Sequence, residues 1–372
     1  MRVLITGGAG FIGSHLADAL LARGHGVRAL DNLDPQVHPA GERPAYLDPQ
    51  IDLRVGDVRD HEAVAAALEG IDHVVHFAAA VGVGQSMYEI ERYTSINSIG
   101  AAVMLEEISK RRDQLARVLV ASSMSIYGEG RYRCSEHGLL APQVRSDEQL
   151  DARRWELACP DCGRPLEPLA TGEDKPVQPM SIYAVNKRDH EEMFLSVGRA
   201  LGIPTVALRL FNAYGSRQAL SNPYTGVAAI FISRLLNDQP PLIFEDGEQR
   251  RDFVHVQDVA DAFAAVLDSN QKVWDAFNVG SGQPITVAQM AKVLARLLHK
   301  NIAPEIMNKY RVGDIRHCFA DIDKIGRVFG FRPRRSFEAG MAELIDWVAT
   351  AKAPVSRSQE SLAELEMSKL VV

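Results

Sequence analysis

Hydrophobic and polar positions follow two rhythms along this chain. Short apolar runs at Arg2–Thr6, Gly26–Leu30, Asp52–Val55, His73–Phe77 and Arg117–Ala121 are separated by stretches such as Gly13–Arg23 and His61–Leu68, in which apolar residues recur at helical spacing. Strand-sized apolar runs alternating with amphipathic helices predict βαβ units, hence a parallel sheet covered by helices on both faces. The rhythm then breaks. From about Gly130 to Gln178 the segment is rich in Pro, Gly, Arg, Asp, Glu and Cys without sustained periodicity, and reads as an insert. Helical spacing resumes over Tyr183–Leu201, Thr205–Phe211 is an apolar strand ending at Asn212, and short strands and helices mix to about Thr350. The expected organisation is a doubly wound α/β domain over 1–190, interrupted at 131–178, and then a substrate-binding domain over 191–350 with some segments returning to the first sheet. The tail, 351–372, carries one weak amphipathic stretch and is left unassigned.

Composition narrows the partners. The 372 residues, 46% of them hydrophobic, suffice for about two domains with a full core. A net charge of −7 and the absence of long runs of like charge argue against a nucleic-acid or anionic-membrane partner. No apolar run reaches the roughly 18 residues of a membrane span. Met1–Gly7 passes straight into a glycine-rich turn, with no charged and apolar leader pattern ahead of it. A cytoplasmic protein with a small-molecule partner is expected, and its four cysteines are then expected to be reduced.

The first apolar run opens into Gly7-Gly8-Ala9-Gly10-Phe11-Ile12-Gly13. A G-x-x-G-x-x-G turn between a strand and a helix lets a pyrophosphate approach bare backbone, facing the helix N–H groups and the positive end of the dipole. Gly7, Gly10, Phe11, Ile12 and Gly13 are therefore candidate cofactor contacts. The second strand ends at Asp31, where a carboxylate can accept both adenosine ribose hydroxyls and would repel a 2′-phosphate. That favours NAD over NADP. Asn32 lies beside it, and Asp57 and Val58 follow the third strand at the expected adenine edge. Ala78, in His76-Phe77-Ala78-Ala79-Ala80, suits a small-residue floor under the cofactor. Arg28 is expected to point elsewhere.

Two later elements carry chemistry. Ala121-Ser122-Ser123-Met124-Ser125-Ile126-Tyr127-Gly128 stands at a strand end, and Tyr183-Ala184-Val185-Asn186-Lys187 opens a helix. Tyr and Lys at i, i+4 share one helix face, so the ammonium can favour the ionised phenol. A tyrosine of ordinary pKa about 10 is a poor base at neutral pH, and positive charge from Lys187 and an oxidised nicotinamide is the physical remedy. A serine hydroxyl from the strand end can then hydrogen-bond the substrate oxygen.

With these residues in order, the chain resembles the extended short-chain dehydrogenase/reductases, in their nucleotide-sugar epimerase/dehydratase family, over about Met1 to Thr350. The resemblance implies a Rossmann-like doubly wound parallel sheet with a smaller C-terminal substrate domain, a tightly held NAD and a homodimer. It maps the family serine to Ser123, the tyrosine and lysine to Tyr183 and Lys187, and the asparagine supporting the cofactor region to Asn97. It also maps substrate contacts to Asn212 in Phe211-Asn212-Ala213-Tyr214-Gly215, to Arg251 in Arg251-Asp252-Phe253-Val254-His255-Val256, and to Arg311 in Arg311-Val312-Gly313-Asp314. An arginine fork suits diphosphate oxygens, although each arginine can instead serve a surface ion pair.

The residues beside Ser123 divide the family by reaction. Its dehydratases carry an acidic pair directly after the serine, and its decarboxylases a glutamate at the position of Ser125. Met124-Ser125 supplies neither acid nor base, and Ser125 is left as a substrate contact. The chemistry that remains is 4-epimerisation of a nucleotide sugar by transient C4 oxidation with bound NAD. A nucleotide-sugar dehydrogenase or reductase would share every residue and release its cofactor; a non-enzymatic NAD-binding regulator would not need Ser123, Tyr183 and Lys187. The run Arg217–Val227, together with the insert, is similar to bacterial 4-epimerases of dTDP-6-deoxyhexoses such as dTDP-L-rhamnose, with a UDP-hexose 4-epimerase as the alternative.

The insert places Ser123 and Tyr183 60 positions apart, far more than in family members without one. It contains Cys134-Ser135-Glu136-His137 and, after 21 intervening residues, Cys159-Pro160-Asp161-Cys162-Gly163. Cys134, His137, Cys159 and Cys162 have ligand spacing typical of structural zinc, predicting a zinc-ribbon-like lobe; the bland alternative is a loop with unpaired thiols. Such a lobe can bind nucleic acid in other settings, but the acidic balance argues against that here.

Overall fold

The computed structural model describes residues 1–219, 226–311, 313–350 and 371. Part of the Arg217–Val227 run, Val312 in the Arg311 turn, and the amphipathic stretch of the tail lie outside these residues. Seven strands form one parallel sheet: β1 (Arg2–Thr6), β2 (Gly26–Asp31), β3 (Asp52–Val55), β4 (His73–His76), β5 (Arg117–Ser123), β9 (Thr205–Leu210) and β13 (Trp274–Val279). Their order is β3-β2-β1-β4-β5-β9-β13. The chain leaves from the centre twice in opposite directions, which opens a crevice at the carboxyl ends of β1 and β4, where doubly wound sheets bind ligands. Strand ends differ from the sequence reading by a residue or two. The difference that matters is at β5, which runs on to Ser123 and makes that serine the last residue of a central strand.

Alternation across β1 shows how the two faces are filled. Val3 and Ile5 enter one core with helices Phe11–Leu21 and Val256–Asp268, whereas Leu4 enters the other with helices Gly100–Ser109 and Ile182–Leu201. Every residue of β9 is buried, as a strand covered on both faces requires. Among the described residues, no helix is long and apolar enough to cross a membrane.

The remaining strands make smaller sheets. In the insert, β6 (Arg131–Cys134), β7 (Gly138–Leu140) and β8 (Glu167–Leu169) pair antiparallel in the order β7-β6-β8. The segment is polar, yet it builds a small core from Tyr132, Cys134, Leu157, Cys159 and Leu166, so two cysteines pack where hydrophobes would. In the C-terminal half, β10 (Asn212–Tyr214), β12 (Arg250–His255), β14 (Pro284–Thr286) and β16 (His317–Cys318) assemble around β12, and β11 (Leu242–Ile243) pairs with β15 (Glu305–Ile306). Helices Val227–Leu236, Val287–Leu297 and Phe337–Thr350 close a third core on this sheet.

One polar pair is embedded in the main fold. His76, at the end of β4, stacks on Phe194 at 5.1 Å and meets His190 edge-on at 5.3 Å, with neither imidazole exposed. Burial, reinforced by the nearby Lys187 charge, pushes His76 down to about 3 and His190 well below its ordinary value. Both are neutral when folded but titrate near 6.5 when unfolded, so the unfolded chain binds more protons below that pH and stability falls with acid. Thermal stability is expected to drop between pH 6.5 and 4 by up to about 1.4 kcal/mol per pH unit for each imidazole. His76→Gln should flatten that limb of the midpoint-versus-pH curve, and a curve parallel to wild type would refute the assignment.

Candidate active site

The turn after β1 is forced on glycine by close approaches. Gly7 has φ +68°, and a Cβ there would lie 2.9 Å from the Ala78 nitrogen; a Cβ on Gly13 would lie 2.2 Å from the Gly7 oxygen. Only bare backbone fits, and it leads into the N-terminus of helix Phe11–Leu21, so the cradle suits a pyrophosphate. Gly10 donates its N–H to the Gly7 oxygen at 3.2 Å, closing the turn. Phe11 meets His15 edge-on, and Ile12 packs against the core beneath.

Asp31 ends β2 with its carboxylate fixed at the rim of this loop. Oδ2 accepts the Ala9 N–H and Oδ1 the Leu33 N–H, both at 3.0 Å, leaving one lone pair on each oxygen for a ribose hydroxyl. Arg28 points away, to Asp52 at 2.7 Å. The adenine-edge residues are more committed than the sequence suggested. Asp57 is held below the usual carboxylate range first by Arg59, 2.7 Å away, and also by Asn32, while the Val58 side chain is buried against Gly100. Ala78 donates its N–H to Thr6 Oγ1 at 3.2 Å, pinning the floor of the crevice to the end of β1.

Ser123, Tyr183 and Lys187 converge at the end of β5. Ser123 Oγ accepts hydrogen bonds from the Ser125 N–H at 3.2 Å and from Ser125 Oγ at 3.0 Å. Both its lone pairs are thus filled and its own proton is free to donate, which fits the hydrogen bond it makes to Tyr183. Tyr183 starts a helix capped by Ser181 and ended by Gly202 in the left-handed conformation. Lys187 Nζ donates to the Ala121 oxygen at 2.9 Å and lies 6.0 Å from the Tyr183 ring centre. Burial acts against both groups. It pushes the phenol up to about 12, opposed by Ser123, and the ammonium down to about 8.

The substrate-side residues differ in availability. Asn212, on β10, has a buried Oδ1 with no hydrogen-bond partner, an orphan of the kind a ligand satisfies. Arg311 is exposed and its guanidinium stacks 4.3 Å from the Phe244 ring centre. Arg251 is largely spent inside the chain: its Nη donors reach Asp314 Oδ1 at 3.1 Å and the carbonyls of Arg250, Ile315 and Arg316 at 2.7–3.1 Å. It shapes the Arg311–Asp314 turn more than it offers a free fork.

Cys134, His137, Cys159 and Cys162 place their ligand atoms within 4.8 Å of one another. Cys134 Sγ is 3.6 Å from Cys162 Sγ and 3.7 Å from His137 Nδ1, and Cys159 Sγ is 3.3 Å from that nitrogen. Metal–ligand distances of about 2.3 Å for sulfur and 2.0 Å for nitrogen require edges of roughly 3.5–3.8 Å in a tetrahedron. Backbone hydrogen bonds from His137 and Glu136 draw the Cys134 thiol down to about 6, toward the thiolate a metal needs.

Several residues of this region escaped the sequence reading. Tyr46 donates its hydroxyl to the Ala9 oxygen at 2.8 Å, bracing the glycine loop from a remote segment. His190 donates Nε2–H to the Asn97 oxygen at 2.8 Å, and Asn97 closes a two-way amide pair with Ala80 at 2.8 and 3.1 Å. Beneath the insert, Arg145 and Arg316 are enclosed with Glu129 and Glu245, and Arg316 reaches out to the partly exposed Glu156 and Asp246, in one ionic network. Hydrogen bonds from His317 and Arg316 overcome the effect of burial on Glu156 and hold it at about 2. His190 gave a weak clue, a polar residue on the buried face of its helix; Tyr46, in a turn, and the network gave none.

Comparison with known proteins agrees with this geometry. The NAD dependent epimerase/dehydratase family profile matches residues 3–146 and 160–280, skipping only a short stretch in the middle of the insert. A dTDP-L-rhamnose 4-epimerase of Burkholderia thailandensis is 34% identical over 352 residues, 94% of this chain and 95% of that protein. Among solved structures, a UDP-glucose 4-epimerase from Thermotoga maritima, in complex with UDP-glucose, superposes with a TM-score of 0.77 at 28% identity, covering 95% of this chain and 100% of its own. A Thermus thermophilus UDP-glucose 4-epimerase in complex with NAD gives 0.73 at 29% identity, with 94% and 100% covered. The glycine cradle, the Asp31 rim and the Ser123–Tyr183–Lys187 cluster thus stand on a chain that belongs to the NAD dependent epimerase/dehydratase family.

Proposed function

We propose that this enzyme is a nucleotide-sugar 4-epimerase that keeps its NAD through the cycle. The observation that carries the reading is the hydrogen bonding of Ser123: the two residues after it are Met124, buried, and Ser125, whose hydroxyl is turned back onto Ser123 at 3.0 Å. No carboxylate stands there to remove a C5 proton or expel a hydroxyl, so the chemistry reduces to one carbon and one oxygen. The glycine loop and Asp31 would hold the cofactor's pyrophosphate and adenosine ribose, with Asn32, Asp57, Val58, Ala78 and Asn97 shaping the rest of the crevice. NAD, when bound oxidised, supplies a hydride acceptor and a positive ring. Tyr183 accepts the C4 hydroxyl proton as that carbon is oxidised and returns it when the ketone is reduced on its other face. Ser123 orients the C4 oxygen, and Lys187, 6.0 Å from the Tyr183 ring centre, together with the oxidised nicotinamide would supply positive charge against the rise that burial imposes on the phenol. Asn212, Arg311 and Ser125 would face the sugar diphosphate.

The substrate we favour is a dTDP-6-deoxyhexose such as dTDP-L-rhamnose, supported by the 34% relative that spans nearly the whole chain. A UDP-hexose is the second reading, supported by the two solved relatives. Purified enzyme without added cofactor should invert C4 of one member of a dTDP-, UDP- and GDP-sugar panel, read by NMR. Absence of inversion, with stoichiometric reduction of added NAD, would instead establish a dehydrogenase. Tyr183→Phe should lower turnover by about 10³-fold while NAD stays bound, and retained activity would remove Tyr183 from the chemistry.

We further propose that the Cys₃His cluster holds a structural zinc, and that two chains pair through the groove between helices Gly100–Ser109 and Ile182–Leu201, where Ala102, Leu105, Met193 and Val197 alternate with Glu106, Ser109, Glu192 and Ser196. Purified protein should contain about one zinc per chain. Cys159→Ser should release the metal and lower the thermal midpoint by several degrees. Metal-free protein, or a variant as stable as wild type, would contradict the site.

A further inference from the structure

The insert grips the segment from Tyr310 to His317, which contains the Arg311–Asp314 turn, from several directions. Tyr310 is 3% exposed, donates its hydroxyl to Asp151 Oδ1 at 2.7 Å and meets Trp155 edge-on at 6.4 Å, with Leu150 completing the cluster. Arg145, its side chain 1% exposed, forks onto Glu245 at 2.7 and 2.9 Å and reaches the Asp314 carbonyl at 3.2 Å. Arg316 donates its backbone N–H to Glu129 Oε1 and its guanidinium to Glu156 Oε1, both at 2.6 Å. His317 meets Glu156 Oε2 at 3.0 Å. Positions 310, 314, 316 and 317 are all held by residues of the insert or its stem, while Arg311 between them stacks its guanidinium 4.3 Å from the Phe244 ring centre.

A turn carrying a glycine at φ +76°, Gly313, gives up backbone freedom when it orders. If it is ordered only part of the time, the apparent affinity of a ligand needing it falls by the ordered fraction. We propose that the insert is the positioning element of this turn, so that Trp155, Asp151 and Arg145 set the affinity for a nucleoside diphosphate group without touching it. The proposal rests on the nucleotide-sugar reading of the site and adds a function for the lobe within it. Trp155, Asp151 and Arg145 are positioning residues, and their signature is a change in KM separated from kcat.

The test uses full-length enzyme with its NAD bound, in three variants: Tyr310→Phe and Asp151→Ala, each of which removes the Tyr310–Asp151 hydrogen bond, and Trp155→Leu, which removes the ring contact. Calorimetric titration with UDP and with dTDP, with no chemistry involved, gives Kd; turnover of the accepted sugar gives KM and kcat; absorbance of released cofactor gives NAD content. For Trp155→Leu, Kd and KM should rise about tenfold, with kcat and NAD content close to wild type, and the two hydrogen-bond variants should shift in the same direction. Unchanged Kd in all three variants overturns the proposal. So does a joint fall of kcat and NAD content at constant KM, which would mark a general loss of structure. Wild-type enzyme that binds neither diphosphate overturns the nucleotide-sugar reading as well, whereas tight binding insensitive to the variants overturns the positioning role alone.

Discussion

Asn97 has no solvent exposure, and its amide and carbonyl join three segments that the sequence keeps far apart. Its amide pairs both ways with the backbone of Ala80, and its carbonyl takes the His190 imidazole. Ala80 follows the floor of the cofactor crevice, and His190 lies one turn beyond Lys187. The dinucleotide cradle and the helix bearing Tyr183 are therefore fixed to each other through one side chain. A carbonyl can only accept, so His190 carries a proton on Nε2, and burial, which outweighs this bond's preference for the charged ring, keeps the imidazole neutral. Asn97 sits in a π turn, Ser95–Ile99, the kind of helix irregularity that opens the backbone for a side contact. The adjacent Ser98 donates to Asp189 at 2.9 Å and accepts from Asn186 at 3.1 Å, so this turn grips the catalytic helix twice more.

What was legible in the sequence is what periodicity and short spacing encode. The βαβ rhythm, the glycine turn, the carboxylate at the end of β2 and the i, i+4 Tyr–Lys pair are all local patterns, and the glycine turn, Asp31 and Ser123 stand at the carboxyl ends of strands of one sheet. Commitments between distant segments were not legible. Arg251 looks like a free phosphate fork from its motif, yet Asp314, 63 positions away, claims part of it. Asp57 looks like an adenine contact until Arg59 and Asn32 occupy its carboxylate. The insert looked too polar for a core because cysteines and one tyrosine do not register as a hydrophobic pattern, but in space they pack as one.

Burial works against the charged form of both members of the Tyr183–Lys187 pair. Moving a phenol and an ammonium away from water disfavours both charged forms, which raises Tyr183 and lowers Lys187. The chain compensates locally with few groups: one hydroxyl proton from Ser123 and one carbonyl, that of Ala121, for the lysine. A buried cation beside a phenol becomes effective because so little else screens it. The same dry surroundings that raise the phenol make its ionisation sensitive to any positive charge placed beside it.

Desolvation also limits what the ionic network under the insert can contribute. Arg316 is wholly enclosed, and burying guanidinium and carboxylate groups together often returns no more stability than packed hydrophobes of equal volume. Its benefit is directional. A planar fork that needs acceptors at Glu156, Glu245 and Asp246 simultaneously is satisfied in one arrangement of the insert against β16 and misaligned in any other. A hydrophobic patch would let the lobe slide; the guanidinium does not. A segment with a core of only a few residues can therefore hold a fixed position on a much larger body, because the cost of a misplaced buried charge exceeds what its own small core could enforce.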